Sequence, residues 1–265
     1  MSPDPFDNTE PFDRTARFIE LMMTDAPRLD QIMAAIAATD PAAPSEERIV
    51  AQLDDLASEV KGSDPTSVVT NVFGGLGFTG NAANYYDARN SMIHHVLDRR
   101  LGIPLTLAVV AAEIARRRGV TLRAVGMPGH VLLGSVDGWH DPFAGGAALD
   151  LDDCKQIFRR IHPDAPFLDR YLHPMTETAI AARTLENLRL AGMGSGNLAQ
   201  LASVLELRTL VPEAPVNHRM EYARILEALG RYDLAAEQRD LLAELLPKRA
   251  DHHIDEATRL RVHRN

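Results

Sequence analysis

GIPLTLAVVAAEIARRRG (102–119), VTLRAVGMPGHVLLGSVDG (120–138) and WHDPFAGG (139–146) make up the stretch on which the fold turns. The first segment reads as a helix with marked ends. Pro104 suits the first helical turn, where a missing N–H costs nothing, and Gly119 suits the left-handed position just past the end. Leu105, Leu107, Val109, Val110, Ile114 and the alanines among them leave little polar face, which predicts a buried helix. Arg116, Arg117 and Arg118 close it, where cations complement the negative end of the helix dipole. Two β-type runs follow, Val120 to Met127 and His130 to Val136, and Asp137-Gly138 supplies a hairpin turn. A third run starts at Trp139 and reaches Asp141-Pro142. His130 thus stands early in one strand and Asp141 just across the turn. His140 alternates to the opposite face.

Outward from this core, LGFTGN (76–81), YYDARNS (85–91), VLDRRLGIPLTL (96–107), EIARRRGV (113–120), PGHVLL (128–133) and DPFAGG (141–146) follow in order. In these segments the chain resembles the SirB-type family, transglutaminase-like proteins with tetratricopeptide repeats at the C-terminus. The resemblance implies an α+β fold: a papain-like domain of helices on a small antiparallel sheet, then an all-α repeat domain. It also implies where a site stands. His130 takes the place of the catalytic histidine and Asp141 that of its carboxylate partner. The thiol position, counted back from Gly119, falls on Pro104, where active members carry Gly-x-Cys. A thiol at a helix N-terminus has its pKa lowered by the dipole and a nearby histidine, and the thiolate is what attacks. Proline offers no nucleophilic atom.

Other residues carry two readings each. Asn90 or Asp87 caps the helix bearing Met92, Ile93, Val96 and Leu97, or Asn90 and Ser91 approach the His130 cleft. Glu113, inside the apolar helix, is either locked in an ion pair or an acid/base group of a remnant site. His94 and His95 point about 100° apart and cannot share a metal as an i, i+4 pair would, so they are expected to be surface or half-buried residues. Cys154, in LDLDDCKQIFRRI (149–161), falls after the aspartate strand and reads as a packed, inert residue. Ser91 and Thr106 are the hydroxyls that could replace a lost thiol. Thr106 lies half a turn into a buried helix and is expected to bond a backbone carbonyl.

The 265 residues suffice for one large domain or two modest ones, and a net charge of −9 argues against a nucleic-acid partner. The single cysteine excludes an internal disulfide framework and a Cys-cluster zinc site. Gly74-Gly75-Leu76-Gly77 lacks the Lys-Ser/Thr of a phosphate-binding loop and reads as left-handed turns. No cofactor or metal is expected. No apolar run reaches the roughly 20 residues of a membrane span, and the acidic opening segment has no signal-peptide pattern, so a cytoplasmic protein is the expectation.

Residues 1–13 are expected to be flexible, 14–165 to form the transglutaminase-like domain, and 176–265 the helical repeat domain. Val216–Arg249 reads as one repeat unit, with Ala223 and Ala235 between the helices, Gly230 at the turn and Pro247 at the end. A looser copy precedes it, displaced by about 35 residues, and Asp251–His263 reads as a final helix. Three functions fit. One is a non-enzymatic protein that binds a protein or peptide through its repeats or cleft. Another is an acyl-transfer or amide-hydrolysing enzyme using His130 and Asp141 with a rebuilt nucleophile or an activated water. The third is a regulatory accessory whose cleft holds a peptide without turnover.

Overall fold

A computed structural model describes residues 14–263; the segment expected to be flexible, 1–13, lies outside the described residues. The chain divides into two compact units. One contains Ala26–Ala38 and Ala42–Ile180, and the other Ala181–Asn265, Thr39–Pro41 and the segment ending at Asp25. This differs from the linear division in three places, one of them Thr39–Pro41. Helix α1 (Arg14–Met23) groups with the C-terminal helices, where Arg14 bonds Ser203 Oγ at 3.1 Å and Glu206 Oε2 at 2.9 Å. Residues 166–180 stay with the sheet, because Met175 N–H donates to Ala124 O at 2.8 Å and Pro174 bridges Val125.

The first unit is built of helices against a small sheet. Its opening helices are α2 (Leu29–Ala37), α3 (Glu46–Glu59) and α4 (Pro65–Thr70). Pro65 opens α4 and the Asp64 side chain caps it by accepting from Ser67 N–H at 2.9 Å. A π-helical turn, Asn71–Gly75, continues from α4, so Gly74 and Gly75 are helical and only Gly77 takes the left-handed conformation expected of that stretch. Two short strands, β1 (Thr79–Gly80) and β2 (Leu101–Gly102), pair in parallel on either side of α5 (Ile93–Arg99). Helix α6 (Pro104–Arg117) follows, with Pro104 at its first turn and Gly119 at φ +72° beyond its end. Leu107, Val109, Val110 and Ile114 are fully buried. Burying each such side chain is worth about 1.5–3 kcal/mol, so α6 anchors the unit.

Strands β3 (Arg123–Val125), β4 (Leu132–Ser135), β5 (Gly138–Asp141) and β6 (Ala147–Leu149) form an antiparallel meander in that order. Helix α6 packs on β3 and β4. The two runs expected from Val120 and from His130 are shorter in the structure. Pro128 has no N–H for the ladder and Gly129 turns at φ +78°, so pairing stops there. His130 therefore sits in the turn, its N–H donating to Met127 O at 3.0 Å, and not on the strand. Helix α7 (Leu151–Ile161) closes the far side, packing Cys154 and Phe158 against Val125, Met127 and Leu132.

The second unit is all helical: α8 (Glu177–Ser195), whose first turns belong to the preceding unit, then α9 (Leu198–Leu210), α10 (Val216–Ala228), α11 (Tyr232–Leu245) and α12 (Ala250–Val262). Successive helices α9 to α12 pack on one another. Gly230, at φ +72°, turns α10 into α11, and Ala223 and Ala235 are fully buried where small side chains let helices approach. Leu201, Leu205, Leu226 and Leu260 fill the same core. No helix among the described residues is long and apolar enough to cross a membrane.

Candidate functional site

The sheet delivers a hydrogen-bonded histidine–aspartate pair. His130 Nε2 lies 3.0 Å from Asp141 Oδ2, and the two side chains are 17% and 14% exposed. Asp141 is held from its other side as well. Its Oδ1 accepts from the backbone N–H groups of Phe143 at 2.9 Å and Ala144 at 3.1 Å, an Asx-type turn that aims Oδ2 at the imidazole. Burial alone would raise the Asp141 pKa; the His130 hydrogen bond and charge, with the Ala144 and Phe143 N–H groups, hold it below the ordinary carboxylate value. His140 points to the buried side of β5, with Nδ1 3.3 Å from Gly146 O.

Around the pair the backbone is shaped to receive Phe143. A Cβ on Gly80 would lie 2.4 Å from the Phe143 ring, so β1 can pass there only as glycine. Tyr85 packs edge-on against Phe143, with ring centroids 5.7 Å apart, and Tyr86 beside it is largely exposed. Gly129, next to His130, would meet Ile161 of α7 at 2.7 Å if it carried a Cβ.

Asn90 does not cap α5. It is fully buried, and its amide donates to the carbonyls of Asn84 (2.7 Å) and Tyr85 (3.2 Å) while its oxygen accepts from Asn81 and Arg99. Nor does Asp87 cap α5: it caps the short turn Ala88–Asn90, accepting from Arg89 N–H at 2.9 Å, while the residue before α5 is Met92, which offers no side-chain cap. The Asn90 backbone carbonyl takes the Thr106 hydroxyl at 2.6 Å. Thr106 also accepts from Ile103 N–H at 3.3 Å and has no exposed surface, so its oxygen is committed to the start of α6. Ser91 is buried. Among the described residues no hydroxyl or thiol is hydrogen-bonded to His130.

Pro104 occupies the first turn of α6, buried. Cys154 is fully buried in α7, where desolvation and the nearby Asp153 and Asp150 push its thiol up to about 11. It is a packed side chain. Glu113 lies nine residues after Pro104, about 14 Å along the helix. Its carboxylate takes Arg116 at 2.8 Å and Arg117 at 2.6 Å. Arg117 also reaches Asp30 Oδ2 at 2.6 Å, and Asp30, with no exposed surface, is further held by Arg28 at 2.5 Å and Arg116 at 3.2 Å. The ion-paired reading of Glu113 is the one its contacts match. His94 is buried, not at the surface, and stacks on half-buried His95 with centroids 4.2 Å apart.

Two features escaped the sequence reading. They are the Asn81–Asn90 amide pair and the buried Asp30, neither of which entered it. The second left a trace: Asp30 sits in LDQIMAAIA, a helix with almost no polar face.

A buried helix packed on an antiparallel meander, with an aspartate-held histidine at the turn, is matched at the level of sequence. Residues 29–186 fit the transglutaminase-like superfamily. The chain belongs to that superfamily. Among its transglutaminase-like relatives, a UPF0162 protein of Pseudomonas aeruginosa is 30% identical over 232 residues, covering 82% of this chain and 86% of its own length. A UPF0162 protein of Xylella fastidiosa is 38% identical over 154 residues, so the chain spans about half (54%) of that relative. Human F-box only protein 21 is 44% identical over 78 residues, 29% of this chain and 12% of that protein. No solved structure matches.

Proposed function

We propose that this chain is a SirB-type member of the superfamily in which the thiol chemistry is lost and the cleft, with a tetratricopeptide-type helical module, binds a protein or peptide partner. The observation that carries this reading is the intact His130–Asp141 pair at 3.0 Å with no hydroxyl or thiol among the described residues hydrogen-bonded to the ring. Pro104 stands at the thiol position that the family resemblance assigns, the Thr106 hydroxyl is committed to Asn90 O, and Cys154 is buried with a raised pKa. The consecutive α9–α12 hairpins, with alanine at the helix contacts and glycine at the turn, support the repeat assignment. A second reading survives on one observation. Asp141 engages only Nε2, so the imidazole keeps Nδ1 for a water and could act on it as a general base.

The test is an assay of amine incorporation and of peptide hydrolysis by the wild-type chain, Cys154→Ala and Pro104→Cys. The expected result is no turnover by the first two and a new, His130-dependent thiol reactivity in the third. Turnover by wild type that survives in Cys154→Ala and vanishes in His130→Ala would move the assignment to the water-activating hydrolase. Turnover that Cys154→Ala abolishes would overturn the loss of thiol chemistry.

A further inference from the structure

Away from the His130 turn, α2, the end of α6 and strand β3 enclose a cavity of about 260 Å³. Its apolar lining is Leu29, Val120, Leu122, Met175 and Ile180. Three guanidinium groups, Arg28, Arg116 and Arg123, and two carboxylates, Glu113 and Glu177, share the same walls. The acids are already answered: Glu113 holds Arg116 and Arg117, and Glu177 lies 3.8 Å from Arg123. Asp30, behind the wall, is shared with the buried Arg117 at 2.6 Å. The five lining charges sum to +1, and Asp30, Arg117 and Asp54 beside them bring the whole cluster to balance.

Arg28 and Arg116 are fixed in place. Each gives its Nε and one terminal nitrogen to a buried carboxylate: Arg28 to both oxygens of Asp30, Arg116 to Glu113 with a further bond to Asp30. Because both reach the same Asp30 Oδ2, at 2.5 and 3.2 Å, their guanidinium groups stand side by side. In each the remaining terminal nitrogen, Nη1, has no partner among the described residues, and each side chain is about half exposed (46% and 47%). Two oriented N–H donors beside an apolar hollow match a carboxylate borne on an apolar group.

We propose that this cavity binds a small monocarboxylate, its oxygens received by Nη1 of Arg28 and Arg116 and its apolar body by Leu29, Leu122, Met175 and Ile180. The chemistry is shared by a free aliphatic acid and by the C-terminus of a peptide ending in an apolar residue. The site stands apart from the His130 cleft and does not depend on how that cleft works.

The experiment is titration of the full chain, followed by protein NMR, with hexanoate and with acetyl-Gly-Gly-Leu bearing a free carboxylate; hexanol and the tripeptide amide are the uncharged controls. Saturable shifts centred on Ala112, Leu122 and Ala124, with one or both carboxylates and neither control, are expected. Hexanoate alone binding identifies a free acid as the source, and a tighter tripeptide identifies a peptide terminus. Arg28→Gln removes a charged hydrogen bond and should weaken binding about tenfold or more. Ala112→Leu, which fills the cavity and keeps every charge, should abolish it, with circular dichroism confirming that both variants fold. No saturable shift with either carboxylate, equal shifts with the controls, or undiminished binding in Ala112→Leu would overturn the proposal.

Discussion

At Asp141 a single carboxylate joins a backbone turn to an imidazole. Its pKa is lowered in the fold, so it contributes stability above its ordinary value near 3.8, and that contribution is lost as pH falls through the lowered value. Asp141→Asn keeps an oxygen for the Phe143 and Ala144 N–H groups but removes the charge facing His130. The variant is expected to be about 2 kcal/mol less stable at neutral pH, with the gap closing as wild type is acidified. Urea midpoints for both proteins across the acid range check this; a gap constant with pH would mean that the charge contributes nothing. Cys154 offers a second test at this scale. With its thiol pushed up to about 11, only about a thousandth is thiolate at pH 8. Iodoacetamide should therefore label Cys154 in denaturant and leave the native chain unmodified.

Helix α6 is organised differently at its two ends. At the start, the Asn90 carbonyl and Ile103 N–H close on Thr106; at the finish, Glu113, Arg116 and Arg117 meet α2 through Asp30. The helix itself was legible, because proline, an apolar body and glycine are local signals. Its partners were not. Glu113 finds its own partners, Arg116 and Arg117, three and four positions on, but the carboxylate that shares those arginines, Asp30, stands more than eighty positions earlier in the chain, and no local pattern carries that distance. His130 and Asp141 were legible as neighbours through the hairpin, whereas the turn that holds His130 was hidden by the apolar run around Pro128-Gly129. The ion cluster predicts unequal costs. Asp30→Ala leaves three arginines, Arg28, Arg116 and the 8% exposed Arg117, without the buried carboxylate they share and should cost about 3–5 kcal/mol. Asp54→Ala removes a partner that is itself 61% exposed and should cost about 1 kcal/mol or less. Chemical denaturation of the two variants compares them; equal losses would show that burial does not set the strength of these pairs.

Across the whole chain, the order of elements was readable further than their grouping. Strong helical periodicity and turn glycines marked the C-terminal helices, but the alliance of α1 with α9 rests on Arg14, Ser203 and Glu206, and nothing near residue 14 announces it. The C-terminal helices also bury titratable groups that periodicity treats as surface. His253 of α12 is 2% exposed and neither ring nitrogen has a hydrogen-bond partner among the described residues. Burial lowers its pKa, and Arg239, His252 and Arg249 push the same way, against Glu256. His218 of α10 is lowered too, by burial and then by Arg208. A histidine kept neutral in the fold contributes stability above its unfolded pKa of about 6.5, and this is lost as pH falls toward the lower folded value, because the unfolded chain binds the proton more readily. Stability of the helical unit should therefore decline between about pH 7.5 and 5.5, a range in which ordinary carboxylates stay ionised. His253→Leu keeps the volume and removes the titration, so its decline should be shallower than that of wild type. Thermal melts followed by helical circular dichroism measure the slope. The single tryptophan, Trp139, lies in β5, so its fluorescence reports the sheet-bearing unit separately. A slope in the dichroism melts that is identical in wild type and His253→Leu would show that His253 takes up its proton without opposing the fold.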